Sequence, residues 1–197
     1  MGLLTFKGGI HPNDGKSLAK DKAIVEVLPE GDLVFPLSQH IGAPAAPIVK
    51  VGDQVLKGQK IAEAGGFVSA PVYSSVSGKV KAIAPYFTPT GGKVSSIIVE
   101  NDGAYTEAER LSTRPLEMLS KEEILNLIAE AGIVGMGGAG FPTRVKLSPK
   151  EPEKIEYVIA NCAECEPYIT ADYRRMMENP EDLVEGMRVI LKLFDNA

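Results

Sequence analysis

Apolar and polar residues change rhythm once along this chain. Over residues 23–99, short apolar runs are cut by Gly, Pro and Asp, which predicts strands at 23–28, 33–37, 47–51, 60–64, 71–74, 79–84 and 94–99. After Pro115 the apolar positions recur at helical spacing. Ser120 and Glu123 form a capping-box pattern ahead of Ile124, Leu127, Ile128 and Ala131, and Gly132 supplies the stop. Residues 155–160 read as a buried strand. Asn179-Pro180-Glu181-Asp182 then opens a last helix whose apolar face is Leu183, Val184, Met187, Ile190, Leu191 and Phe194. The chain therefore divides into an all-β module at 1–115 and a segment of α/β character at 116–197. One strand cannot make a sheet, and the last helix has little sequence left to cover its stripe. The expectation is an incomplete α/β domain whose partner strands lie beyond Ala197.

Within the β module the turn signals have an order. Val51-Gly52-Asp53 and Gly58 mark two turns, and Ala70-Pro71 and Val76-Ser77-Gly78-Lys79-Val80 follow. That order resembles the barrel-sandwich hybrid of biotinyl and lipoyl domains. A carrier of that kind needs a lysine on the hairpin between its halves, and here the connection reads Glu63-Ala64-Gly65-Gly66-Phe67-Val68-Ser69. The module is thus expected to be a scaffold without a swinging arm.

Composition narrows the function classes. With 44% hydrophobic and 24% charged residues among 197, the chain is an ordinary globular one. A net charge of -5 with dispersed Lys and Arg gives no footprint for nucleic acid or an anionic membrane surface. No apolar run approaches the ~20 residues a membrane span needs, and the N-terminus does not read as a secretory signal. A soluble, cytoplasmic chain is expected. Cys162 and Cys165 alone cannot supply the four ligands of a zinc or iron–sulfur site. They lie beside two carboxylates rather than at the start of a helix, which argues against a redox disulfide. His11 and His40 show no metal-ligand spacing and read as ordinary polar contacts.

The densest chemistry is at Gly135-Met136-Gly137-Gly138-Ala139-Gly140-Phe141-Pro142-Thr143, with Lys146 beyond. Glycines without a Cβ let a backbone approach a phosphate or a flat ring closely. Gly135, Gly137 and Gly140 satisfy G-x-G-x-x-G, but a dinucleotide-binding Rossmann loop follows a strand and opens a helix. This loop follows a helix and precedes the strand, and Phe141-Pro142-Thr143 does not read as the body of a helix, so the Rossmann reading fails. The second cluster, Asn161-Cys162-Ala163-Glu164-Cys165-Glu166-Pro167, sits at the C-terminal end of the expected strand, where open α/β sheets bind ligands. Glu164 and Glu166 there call for a cation, an amide-rich ligand or hydroxyl groups to offset their repulsion. Asn161 can both donate and accept at a ring edge.

Paired, the two clusters resemble the flavin and NADH site of the NADH-oxidising subunit family of respiratory complex I. The whole chain more closely resembles the RnfC family of the Rnf electron transport complex, through Phe6-Lys7-Gly8-Gly9-Ile10-His11-Pro12 and Glu164-Cys165-Glu166-Pro167-Tyr168-Ile169-Thr170-Ala171-Asp172. The fold this implies is multidomain α+β: a barrel-sandwich-hybrid-like module, then the beginning of a Rossmann-like α/β domain of the complex I flavin-subunit type.

The resemblance also implies roles. The backbone of Gly135, Gly137, Gly138 and Gly140 would lie against FMN, Phe141 would contact the NADH adenine, and Lys146 would reach the flavin or its phosphate. Asn161 and Glu164 would bond the flavin side and Glu166 the NADH. Hydride transfer from NADH to the flavin, then single-electron release to two [4Fe-4S] clusters outside this chain, would follow. The parent protein would belong to an ion-translocating NADH:ferredoxin oxidoreductase. Other Rnf subunits would hold it peripherally at the cytoplasmic face of the membrane, with ferredoxin reached indirectly. The alternative is a non-catalytic assembly module of such a complex. Two departures stand out: Met136 and Ala163 occupy positions that are arginine and an acid in the complex I relatives.

Overall fold

The computed structural model describes residues 12–88, 91–112, 114–136 and 138–197. Seven strands form two antiparallel sheets: β1 Asp32–Pro36, β2 Ala46–Pro47, β3 Gln54–Val55, β4 Lys60–Glu63, β5 Val72–Tyr73, β6 Gly78–Phe87 and β7 Lys93–Asn101. The larger sheet runs β1-β7-β6-β3 and the smaller β2-β4-β5. Alternation sets the register: Phe35 faces Ile97 and Val80 faces Val99, all four side chains pointing into one core. Leu37, Val55, Ile61, Val72 and Val76 complete it. The expected turns are present, with Asp53 accepting from the Lys50 amide at 3.0 Å and the Gly58 amide donating to the Ser74 carbonyl at 2.7 Å.

Six of the seven expected strands have a paired counterpart, though that of residues 47–51 shrinks to β2; β3 has no sequence signal because two residues carry no periodicity. Residues 23–28 are the exception. They are extended but paired to no described strand, with Val25 77% and Val27 82% exposed. Their β-prone composition has no neighbour to satisfy it.

The second half holds α1 Lys121–Glu130, α2 Thr143–Lys146, α3 Ala171–Glu178 and α4 Pro180–Leu191. The capping box at α1 is complete: the Ser120 hydroxyl accepts from the Glu123 amide, and the Glu123 carboxylate accepts from the Ser120 amide at 2.8 Å. Gly132 ends the helix region at φ 66°. Ile124, Ile128, Leu193 and Phe194 form a second core, against which Leu147, Ile155, Val158 and Ile190 pack. Residues 155–160 are not the buried strand expected. They pair with no described strand, and Tyr157 and Ile159 are 82% and 85% exposed, because apolar side chains on both faces find only one layer to pack on. The stripe of α4 is likewise half covered: Ile190 packs on the second core, whereas Leu183 and Val184 remain exposed.

The halves meet at Glu130. Its carboxylate accepts from Lys60 at 2.5 Å, and its carbonyl accepts from the Tyr73 hydroxyl. The Glu130 contact is the main reason the Lys60 ammonium titrates above its ordinary range, and burial raises the Tyr73 phenol.

Candidate functional site

The glycine loop is a closed excursion. Val134 bridges Pro142 across its neck, the Gly135 amide donates to the Phe141 carbonyl at 2.9 Å, and the Thr143 amide donates to the Ile133 carbonyl at 3.0 Å. Helix α2 begins at once, so the loop does open a short helix, contrary to the expectation from Phe141-Pro142-Thr143. Its base is locked on the β module. The Ala139 carbonyl accepts from the Ile41 amide at 2.8 Å, and Gly140, at φ 57°, lies so close that a Cβ would stand 2.7 Å from the Gln39 carbonyl oxygen. Gly140 is therefore required by packing. Gly138, also left-handed at φ 58°, has open space where a Cβ would be. Gly137 lies outside the described residues.

The neighbouring segment of the β module is itself fixed. Buried His40 accepts the Ala70 amide at Nε2, 3.0 Å, which leaves Nδ1–H to donate to the Ile41 carbonyl at 3.1 Å. This agrees with a purely polar contact for His40; His11 lies outside the described residues. The hairpin without a lysine also reaches the site, the Arg144 guanidinium of α2 sitting 5.9 Å from the centroid of the Phe67 ring.

The acidic loop runs from Asn161 to Thr170. Asn161 is exposed, and its side-chain oxygen accepts the Ala163 amide at 3.0 Å, a local turn. Glu164 turns inward. One carboxylate oxygen accepts the Asp172 amide at 3.1 Å, capping the first turn of α3 in place of Thr170, which makes no side-chain cap bond. The other, Oε2, is buried without a hydrogen-bond partner; the Lys16 ammonium is 4.0 Å away. Glu166 is exposed, and Cys162 and Cys165 are both free thiols.

One hollow of about 280 Å³ brings the two motifs together: Met136 from the glycine loop, and Ala163, Glu164, Cys165, Glu166, Ile169, Ala171 and Asp172 from the acidic side. Gly135, Phe141, Lys146 and Asn161 are not in its lining. Lys146 is exposed at the other side of the loop, its Nζ 3.6 Å from where a Gly135 Cβ would be, and Phe141 is half-buried there. Asn161 instead lines a separate hollow with Cys162, Asp172, Arg175 and Asp182. The structure thus gathers Glu164 and Glu166 and leaves Phe141, Lys146 and Asn161 around them. The hollow lies near the lower limit of the roughly 300–1,000 Å³ of small-molecule pockets, open on one side. A buried carboxylate oxygen with no donor suits a ligand carrying N–H or hydroxyl groups, as a flavin or a ribose does, and the Lys146 ammonium suits its phosphate.

Lys16, Gln39, His40 and Tyr168 support the loops without being marked in the sequence. None carries a local signal, since each acts on a residue far along the chain.

Among the described residues no helix is long and apolar enough to cross a membrane. Comparison with known proteins assigns both halves. Residues 4–104 match the RnfC barrel sandwich hybrid domain, and residues 128–197 match the Nuo51 FMN-binding domain. The chain is 49% identical to the RnfC-type subunit of the proton-translocating ferredoxin:NAD(+) oxidoreductase complex of Clostridium ljungdahlii, over 98% of this chain and 42% of the relative. It is 43% identical to the corresponding subunit of the Na(+)-translocating ferredoxin:NAD(+) oxidoreductase complex of Acetobacterium woodii, over 95% of this chain and 43% of the relative. To that of the ion-translocating oxidoreductase complex of Rhodobacter capsulatus the identity is 42%, over 95% and 37%. The chain therefore spans less than half the length of these relatives. With a barrel-sandwich-hybrid module followed by the beginning of a complex I type FMN-binding domain, it belongs to the RnfC family.

Proposed function

We propose that residues 135–146 and 161–166 are the protein's share of an FMN and NADH site in the electron-entry subunit of an ion-translocating ferredoxin:NAD(+) oxidoreductase. One observation carries the reading. The tip of the glycine loop and the carboxylates of Glu164 and Glu166 share a hollow into which Glu164 presents a buried, unpartnered oxygen. Two further features support it: the match of residues 128–197 to an FMN-binding domain, and the names of the relatives.

In this reading the main chain of Gly135, Gly137, Gly138 and Gly140 faces the flavin. Lys146 neutralises its phosphate, Glu164 and Asn161 bond its polar edge, and Glu166 and Phe141 serve NADH. Bound FMN would supply two-electron exchange with nicotinamide and one-electron exchange with iron–sulfur clusters. The chain's own work is orientation and the exclusion of other geometries. Two [4Fe-4S] clusters would need eight ligands, so they belong to sequence outside these 197 residues, which contain only Cys162 and Cys165. The domain division falls at 115/116, and the partners are other subunits of the complex, which hold the protein at the cytoplasmic face of the membrane.

The test uses the full-length protein. Glu166→Ala should weaken NADH binding about tenfold, on the order of 1.5–3 kcal/mol for a hydrogen bond to a charged group, and FMN binding much less. Equal losses for both ligands would contradict the role given to Glu166.

A further inference from the structure

The acidic loop is held from a segment about 150 residues earlier in the chain. The Lys16 ammonium donates to the carbonyl of Ile169 at 2.7 Å and to that of Glu166 at 3.1 Å, and lies 4.0 Å from the Glu164 carboxylate. The Tyr168 amide donates to the Asp14 carbonyl at 2.5 Å, with Tyr168 itself left-handed at φ 66°. Its ring lies on Gly15, where a Cβ would stand 2.2 Å from the ring edge. Farther along, Arg174 of α3 donates to the Lys20 carbonyl at 3.0 Å, and the Glu178 carboxylate accepts the Ile24 amide at 3.0 Å.

These contacts fasten the main chain on both sides of Glu166 and neutralise the carboxylate nearest to it. An ammonium is suited to this, since its three donors can be shared between carbonyls and a carboxylate without a fixed plane. Without it, two carbonyl dipoles and two carboxylates would face one another across the loop, and the loop would open to separate them.

We infer that Lys16 is a positioning residue of the nucleotide site: it fixes the Glu164–Ile169 loop so that the Glu166 side chain is presented to the nicotinamide nucleotide at low entropic cost. The inference rests on the FMN and NADH reading above. It makes the β module a part of the site, since the glycine loop is locked on Gln39–Ile41 and the acidic loop on Asp14–Lys16.

Full-length Lys16→Met, Lys16→Arg and Glu166→Ala proteins, compared with the parent for NADH and FMN dissociation constants and for melting temperature, test it. Lys16→Met should raise the NADH constant at least fivefold while moving the FMN constant less than twofold, and Lys16→Arg, which keeps the charge and several donors, should recover most of the loss. The inference fails if Lys16→Met stays within twofold of the parent for NADH while Glu166→Ala does not. It fails equally if Lys16→Met loses FMN and NADH in parallel with a lowered melting temperature and no rescue by arginine, which is a structural role only. If Glu166→Ala also leaves NADH binding unchanged, the site reading itself falls. Should Lys16→Met not fold, Lys16→Gln takes its place with the same criteria.

Discussion

Gly140 shows how a residue chosen by a ligand motif can be fixed by something else. Its left-handed backbone at φ 57° and the 2.7 Å approach to the Gln39 carbonyl leave no room for a Cβ, so Gly140→Ala is expected to destabilise the chain by about 1–3 kcal/mol, read as a lowered melting temperature with or without ligand. Gly138 has open space instead and is the residue whose freedom serves a ligand. Glu123 gives a prediction of a different kind. The Ser120 amide first, then Arg114 and the Ser120 hydroxyl, hold its carboxyl down from 4.5 to about 2. Its folded-state value lies below its unfolded one, so the stabilisation is complete above pH 4.5 and is lost as the pH falls toward 2. Glu123→Gln should flatten the decline of melting temperature across that window, and an unchanged slope would remove the capping box from the acid response.

Each half rests on its own core, so damage at one element should stay local. Ile124→Ala in α1, at a side chain 1% exposed, is expected to cost about 2–5 kcal/mol. Hydrogen exchange should quicken in α1 and α4 while the paired amides of β6 and β7 keep their protection. The elements legible in the sequence are those with a strong local signature: the β6–β7 pair, the capped α1 and the Pro-initiated α4. Residues 23–28 and 155–160 have strand composition but no partner strand among the described residues, and composition cannot report a missing neighbour. Helix α3 has no such signature, because Tyr173, Met176 and Met177 are scattered among charges and its first turn is capped by Glu164, eight positions upstream of the amide it accepts. For the site, residue types were legible and distances were not. Glu164 and Glu166 share the hollow as their proximity suggested, whereas Asn161, only three residues before Glu164, faces another.

At the scale of the molecule, the two halves are functionally joined although each has its own core. The β module, which reads as an armless scaffold, supplies Phe67 to α2, Gln39–Ile41 to the glycine loop and Lys16 to the acidic loop. Evolution of a carrier-like fold into a wall of a redox site needs only these edge contacts, since the barrel core is untouched by them. The central claim is that the two loops together hold a flavin and a nicotinamide nucleotide. Titrating FMN and then NADH into the full-length protein, with flavin fluorescence as the signal, addresses it most directly. Saturable quenching by the protein, weakened by Glu164→Ala and followed by an NADH response that Glu166→Ala weakens, is the predicted result; flavin fluorescence that the full-length protein leaves unchanged would contradict the account.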